Sequence, residues 1–158
     1  MAPMGVIEST ALGLAMRQSM WLYPAVETVH IIGLAMLVGS IAVLDLRLMG
    51  LSRGLPVTKL ASHTLPWSIG SFLLILPSGL MMFAAHATDF ISNPVFALKI
   101  CLIMAGLVNA ALFHVTVFRS AAAWDRDVMP PFAARGSAAL SLVLWLSVIA
   151  CGRLLAYT

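Results

Sequence analysis

Long apolar runs separated by short polar stretches dominate the chain and predict four membrane-spanning helices. Each run is close to the about 20 residues that a helix needs to cross the hydrocarbon core of a bilayer. The runs place these spans at about residues 22–46, 64–86, 95–118 and 137–157. We therefore expect an all-α protein, an integral membrane four-helix bundle that forms one transmembrane domain over residues 1–158 and leaves no room for a sizeable aqueous domain.

A weaker apolar pattern precedes the first span and predicts a short interfacial helix over about residues 9–20. Three apolar residues recur there at helical spacing, as in helices that lie in the plane of the membrane surface. They are Leu12, Ala15 and Met16. Ser9 stands where an N-cap is expected, because its hydroxyl can accept a hydrogen bond from a free N–H of the first turn.

Composition and charge agree with a membrane protein and add an orientation. Hydrophobic residues make up 61% of the chain and charged residues only 9%, whereas soluble domains carry roughly 25% charged residues. The net charge of +3 is spread over loops and helix ends rather than gathered on one surface, so no nucleic-acid partner is expected. Six of the nine basic residues flank the loops between spans 1 and 2 and between spans 3 and 4: Arg47, Arg53, Lys59, Arg119, Arg126 and Arg135.

Cytoplasmic loops of membrane proteins carry an excess of Lys and Arg. The charge bias therefore predicts that these two loops lie in the cytoplasm and both termini on the outer side, which in a bacterial inner membrane is the periplasm. Arg47 and Arg119 are expected to extend toward lipid headgroups, as long basic side chains near span ends do.

All four histidines lie inside or at the edge of a predicted span, and they sort by depth into two pairs. His63 and His114 are near the cytoplasmic edge, whereas His30 and His86 are in the outer half. Two neutral imidazoles from different helices of a four-helix bundle are the ligands that a low-spin b-type haem iron requires. The pattern therefore predicts haem b, one or two per chain, with His30 and His86 as one pair of iron ligands and His63 and His114 as the other.

Small residues near these histidines would leave room for a porphyrin. Gly70 and Gly79 each lie two helical turns inward from a histidine of the second span, and Gly33 and Gly106 lie near the other two. Small residues are also common wherever membrane helices pack closely, so the pattern favours haem only slightly. In addition, the two histidines of span 2 are 23 residues apart, about 34 Å along a straight helix, which weakens the case for a second haem.

Four other polar residues in the spans are candidates for the same site. Lys99 and Arg153 lie toward the outer side and are candidate partners of the haem propionates. Glu27 could orient the ring of His30, form an ion pair with Lys99, or exchange a proton with a bound quinol. Asn109, in the middle of span 3, is expected to make an interhelical hydrogen bond.

Three segments carry a resemblance to known proteins: WLYPAVETVHIIGLAMLVGSIAVLDLRLMG, FALKICLIMAGLVNAALFH and WDRD. The chain resembles, over nearly its whole length, a family of small, largely uncharacterised bacterial inner-membrane proteins with four helices. More distantly, its histidine-bearing layout is similar to membrane b-type cytochromes, including haem-binding anchor subunits, and to copper-resistance D-type membrane proteins. The first resemblance implies architecture alone, and the second implies bis-histidine haem and electron transfer.

The leading hypothesis is a membrane b-type cytochrome that passes electrons between the quinone pool and a partner protein, as a subunit of a larger complex or as a homo-oligomer in the lipid bilayer. Whether it is an enzyme in its own right stays open, because so little of the chain would lie in water. One alternative is a haem-free accessory or assembly subunit whose histidines make interhelical hydrogen bonds. Another is a small permease for a metal ion or a proton, with Glu27, His30 and Lys99 along its path.

Overall fold

The computed structural model describes residues 3–157, and no strand occurs among them. Helices and short connections make up this part of the chain, so the predicted all-α fold is confirmed. In chain order the helices are α1 (Pro3–Glu8), α2 (Ala11–Gln18), α3 (Leu22–Leu48), α4 (Val57–Ala85), α5 (Ala87–Ser92), α6 (Pro94–Val115), a 3-10 helix (Val117–Trp124) and α7 (Phe132–Leu154).

The helices α3, α4, α6 and α7 are each long and apolar enough to cross a membrane. Their mean hydropathy lies between 1.8 and 2.2, and at most 33% of their most apolar window is buried inside the protein. Most of their large apolar side chains must therefore be covered by lipid. The prediction of a multi-pass four-helix membrane protein is confirmed.

Three of the spans differ in extent from the prediction, and one of them is α7, which covers Phe132–Leu154 rather than about 137–157. α4 begins at Val57 and contains both Pro66 and Pro77, whereas the predicted second span begins near residue 64. The backbone N–H of Val57 donates a hydrogen bond to the carbonyl oxygen of Asp125 at 2.9 Å, and that of Thr58 donates to the side-chain oxygen Oδ1 of Asp125 at 2.7 Å. This distant cap stabilises the start of α4 two turns before the first proline.

The third span is also interrupted. α6 ends at Val115 and the 3-10 helix Val117–Trp124 follows, although the apolar run continues to Phe118. The start of α6 agrees with its sequence, because the Asn93 side chain accepts a hydrogen bond from the N–H of Val95 and Pro94 occupies the first turn.

The four long helices form a ring that is open on one side. α3 packs along α4, α6 packs along α7, and α3 also packs against α7. In the described chain, by contrast, no Cα atom of α6 comes within 8 Å of one in α4 or α3. The gap between α4 and α6 is called the α4–α6 slot below.

The end of the bundle that carries the connections 49–56 and 116–131 is called the basic end. Its core contains Leu48, Val57, Phe113 and Trp124. A second cluster closer to the other end is built on Leu37, Trp145 and Val148, with partly buried side chains of α4 and α6 packed against it.

Arg47 anchors the basic end. Its side chain is only 1% exposed, donates from Nε to the carbonyl of Leu55 at 2.7 Å, and donates from Nη2 to the carbonyls of Arg53 and Asp125 at 3.1 and 3.0 Å. The expectation that Arg47 reaches lipid headgroups is therefore wrong. Instead, its guanidinium joins α3 to both connections.

The N-terminal helices lie against the opposite end of the bundle. Thr10, and not Ser9 as predicted, caps α2, because its Oγ1 accepts from the N–H of Gly13 at 3.2 Å while the Ser9 hydroxyl donates to a carbonyl of α1. Met16 of the predicted apolar stripe is 1% exposed, but Leu12 is 43% exposed. The α1–α2 segment thus buries one edge against α4.

Glu8 holds this segment in place. Its Oε1 accepts a hydrogen bond from the backbone N–H of Thr88 at 2.7 Å, and its Oε2 lies 3.5 Å from the guanidinium of Arg17. The backbone hydrogen bond is the main reason why the pKa of the Glu8 carboxyl group lies below its usual value.

Candidate ligand cavity in the membrane

The predicted pair of His30 and His86 is not brought together. His30 Nδ1 lies 2.9 Å from Oγ of Ser78, whereas His86 lies beside Asp89, with 3.7 Å between Nδ1 and Oδ2, and edge-on to the ring of Tyr23. Because α3 and α4 run antiparallel, these contacts place His30 at the same height in the bundle as Ser78, and Tyr23 at the same height as His86. Seven residues of helix, about 10 Å, separate the two levels.

The two histidines of the other predicted pair lie in different surroundings. His63 is exposed on α4 and does not line the cavity described below, whereas His114 does. Within residues 3–157, moreover, no group of three or more His, Cys, Asp or Glu side chains is placed to hold a metal ion.

Three of the four glycines thought to leave room for a porphyrin face side chains instead. A Cβ atom at Gly79 would lie 3.2 Å from Cε1 of His30, one at Gly106 would lie 3.4 Å from the Trp145 indole, and one at Gly33 would lie 2.8 Å from Ile75. These glycines therefore allow close helix packing. At Gly70 the space is open.

The remaining predicted site residues are Lys99, Arg153 and Glu27. Lys99 Nζ packs onto Gly152, at 3.5 Å from an ideal Cβ there, and its charge is close enough to interact with His30. Arg153 donates to the hydroxyl of Tyr157 and stacks on its ring. Glu27 is exposed, and the described residues contain no Glu27–Lys99 ion pair within 4.0 Å.

A cavity of about 500 Å³ lies between the four long helices in the half of the bundle toward the basic end. This volume is within the range of small-molecule and cofactor sites. Its wall is mainly apolar and includes Leu44, Leu65, Phe72, Leu107, Phe113 and Trp145. Exposed side chains of both helices, Ile69, Leu73 and Leu107, line the cavity, and no Cα atoms of α4 and α6 come within 8 Å, so the cavity opens at the α4–α6 slot toward the lipid-facing surface.

His114 lines this cavity and has one buried ring nitrogen without a partner. Its Nδ1 lies 2.8 Å from the carbonyl oxygen of Ala110, while its Nε2 is sheltered from solvent and has no hydrogen-bond partner. The rings of Phe113 and Phe118, both centred 5.3 Å from the imidazole, hold it on two sides. A carbonyl oxygen only accepts hydrogen bonds, so Nδ1 carries the proton, and Nε2 of the neutral imidazole presents a lone pair.

Asp45 contributes a second free polar atom, which the sequence analysis did not single out. The side chain is 6% exposed, bonds to the side chain of Ser141, and leaves Oδ2 without a partner. Asp45 was not among the predicted site residues. Its position in the apolar run LDLRL, three residues before the end of α3, was the available signal.

The other polar groups on the wall are largely paired with each other. Asn109 and Ser137 form two hydrogen bonds of 3.0 Å, which confirms the predicted interhelical role of Asn109. The hydroxyls of Ser40 and Ser68 lie 2.7 Å apart. Among the described residues that line the cavity, Asp45 Oδ2 and His114 Nε2 are the fully buried side-chain atoms left without a partner.

Comparison with known proteins gives a family and no activity. The model of a family of unknown function, DUF6644, matches residues 6–158. No curated protein and no solved structure matches the chain.

Proposed function

Since the chain belongs to the DUF6644 family, whose function is unknown, we propose from its cavity that it is a quinone-binding subunit of a bacterial inner-membrane electron-transfer complex. The observation that carries this proposal is a membrane-level cavity with an apolar wall, a few polar groups and a lateral opening to lipid.

Each property of the cavity suits a quinone. A quinone has a flat ring with two polar oxygens at opposite edges and an apolar tail, and it diffuses within the bilayer. The volume of about 500 Å³ accommodates a small molecule, and the α4–α6 slot gives access from lipid without passage through water. Predominantly apolar sites with a few placed polar groups bind such ligands and fix their orientation.

The electron acceptor or donor would, on this proposal, belong to a partner. The four spans use most of the chain, and no second histidine of the described chain lines the cavity beside His114. A partner subunit would therefore supply the redox centre that exchanges electrons with the bound ring.

The proposal is tested by purifying the protein in mild detergent, extracting it with organic solvent and measuring quinone per chain. Ala111→Phe fills the cavity wall and is expected to remove most of the bound quinone, because the ring no longer fits. Ala105→Phe is the matched control, since Ala105 lies on the same helix, is exposed and does not line the cavity. Purified protein that neither retains quinone nor rebinds it when supplied contradicts the proposal.

A second candidate, a b-type cytochrome, is favoured by His114. A histidine that lines a cavity, and whose Nδ1–H is bound to a carbonyl while its Nε2 has no partner, is of the type that ligates iron. No second histidine, methionine or cysteine of the described chain lines this cavity. His114 would hold the iron of a single haem, which would supply one-electron transfer, and haem binding remains a prediction.

Reduced-minus-oxidised absorption spectra of the purified protein separate the two candidates. A Soret and an alpha band that disappear in His114→Ala but persist in His63→Ala would establish the haem. If neither band appears under conditions that retain haem, the second candidate fails and the quinone proposal is unaffected.

A further inference from the structure

The basic end carries the formal net charge of the protein. Six basic and three acidic residues lie toward this end, whereas three of each lie toward the opposite end, so the net charge of +3 belongs to the basic end. The three carboxylates are engaged or buried: Asp125 caps α4, Asp127 pairs with Arg126, and Asp45 is 6% exposed. They leave most of the cations at this end without an anionic partner.

Four of these cations are exposed and lie near the depth of lipid headgroups. They are Arg53, Lys59, Arg119 and Arg135, and no carboxylate of the described residues lies within 4.0 Å of any of them. Each lies within four residues of the end of a membrane span, Lys59 and Arg135 near the starts of α4 and α7. Because the hydrocarbon core gives way to the headgroup region at span ends, lipid phosphates are within reach of these side chains.

Exposed apolar side chains accompany the cations at this end. Leu51 and Leu55 lie two residues to either side of Arg53 and are 53% and 51% exposed, and Phe132, three residues before Arg135, is 85% exposed. This mixture is typical of surfaces that lie in the membrane interface, where apolar side chains enter the boundary of the acyl chains and basic side chains remain among the headgroups. The basic end therefore has the chemistry of a surface in contact with lipid.

We propose that the basic end binds the phosphate groups of anionic phospholipids in the adjacent leaflet through Arg53, Lys59, Arg119 and Arg135. These residues belong to four parts of this end: the connection 49–56, α4, the 3-10 helix and α7. A leaflet surrounds the bundle and reaches all four parts, which favours lipid over a single acidic protein. This inference goes beyond the proposed function, because it does not depend on a quinone in the cavity.

The test compares two phospholipids with identical acyl chains, anionic phosphatidylglycerol and zwitterionic phosphatidylcholine, by native mass spectrometry of the full-length protein in detergent. The wild type is expected to bind phosphatidylglycerol several-fold more tightly. Arg135→Gln should lower this preference up to about fivefold, the effect of one basic residue at an anionic surface. Arg153→Gln, which removes an exposed cation from the other end of the same helix, is the matched control and should leave the preference unchanged.

A triple variant tests the role of charge more strongly. Lys59→Gln, Arg119→Gln and Arg135→Gln together should remove most of the preference, whereas Lys59→Arg, Arg119→Lys and Arg135→Lys together keep every charge and should retain it. Thermal melting of each variant shows that it is folded.

Equal affinity of the wild type for the two lipids would overturn the inference, as would a preference that the neutral triple variant keeps or the charge-conserving variant loses. A wild type without lipid preference that binds polyglutamate through the same residues would assign the basic end to an acidic protein partner, and this also overturns the inference. Quinone content is measured separately, so the failure of either proposal is distinguishable from the failure of the other.

Discussion

Asp125 is a single residue that fixes the start of a helix far from it in the chain. Its Oδ1 accepts from the N–H of Thr58, 67 residues earlier, at 2.7 Å. Loss of such a cap costs about 1 kcal/mol. Asp125→Ala should therefore lower the free energy of unfolding by about that amount, whereas Asp125→Asn, which keeps an acceptor oxygen, should lower it less, as measured by thermal melting in detergent.

The same carboxylate should make stability depend on pH. The hydrogen bond from the backbone of Thr58 holds the pKa of Asp125 below its ordinary value. A depressed folded-state pKa contributes stability above the unfolded value, about 4, and this contribution is lost as the pH falls through the folded-state pKa. The difference in melting temperature between the wild type and Asp125→Asn should therefore shrink below about pH 4. A constant difference down to pH 2 would contradict this assignment.

Arg47 should be irreplaceable by lysine. Its guanidinium serves three carbonyls in fixed directions, and a lysine ammonium cannot reproduce that planar geometry. Arg47→Lys should lower the free energy of unfolding by about 2–4 kcal/mol, since hydrogen bonds to a buried charge are lost. Arg126→Lys is the control, because Arg126 is exposed and its ion pair with Asp127 should contribute under about 1 kcal/mol. Equal melting temperatures for the two variants would contradict the anchoring role.

At the scale of helices, Gly13 decides whether α2 can pack on α4. A Cβ atom there would lie 2.7 Å from the carbonyl oxygen of Glu8 and 2.8 Å from that of Ala84, and neither backbone atom can rotate away. Gly13→Ala should therefore separate the α1–α2 segment from the bundle. Faster hydrogen exchange and proteolysis of residues 3–18, with the four long helices still protected, would show this.

Gly39→Ala is the matched control for that variant. No atom lies within 4 Å of its ideal Cβ, and alanine is favoured over glycine inside a helix by about 1 kcal/mol. It should be neutral or stabilising. If Gly13→Ala behaves in the same way, α2 does not pack closely on α4.

The helices show which parts of a fold local sequence determines. Four apolar runs of membrane length predicted the four spans, because length and hydropathy alone decide whether a helix can cross a bilayer. The start of α4 was missed because its cap comes from Asp125, which lies on a distant connection. The cap of α2 was misplaced by one residue, since Ser9 and Thr10 are both good N-cap residues and only the chain geometry selects Thr10.

At the scale of the whole molecule, the site was predicted only in part. His114 was found because a histidine in an apolar run is conspicuous, and Asn109 was correctly assigned to an interhelical bond. The proposed pairing of histidines by depth could not establish which helices are neighbours or which way each side chain faces. Asp45 was missed for the same reason, because its position on the cavity wall depends on how α6 and α7 are arranged around α3.

The open ring itself can be tested with engineered disulfides, after Cys101 and Cys151 have been replaced by alanine. Cysteines whose Cα atoms are more than about 7 Å apart cannot be bridged without backbone movement. Ile69→Cys with Leu107→Cys, across the α4–α6 slot, should therefore resist oxidation to a disulfide, because no Cα atoms of these helices come within 8 Å.

Ser40→Cys with Ser68→Cys is the matched pair between α3 and α4, where the native hydroxyls lie 2.7 Å apart. It should oxidise readily under the same conditions, as seen by altered mobility on non-reducing gels. Equally rapid bridging of both pairs would mean that α4 and α6 close on each other, which would remove the lateral route by which a lipid-soluble ligand reaches the cavity. A longer bifunctional maleimide should instead cross-link Ile69→Cys to Leu107→Cys. If decylubiquinol lowers the yield of this cross-link, the α4–α6 slot is the route by which the ligand enters.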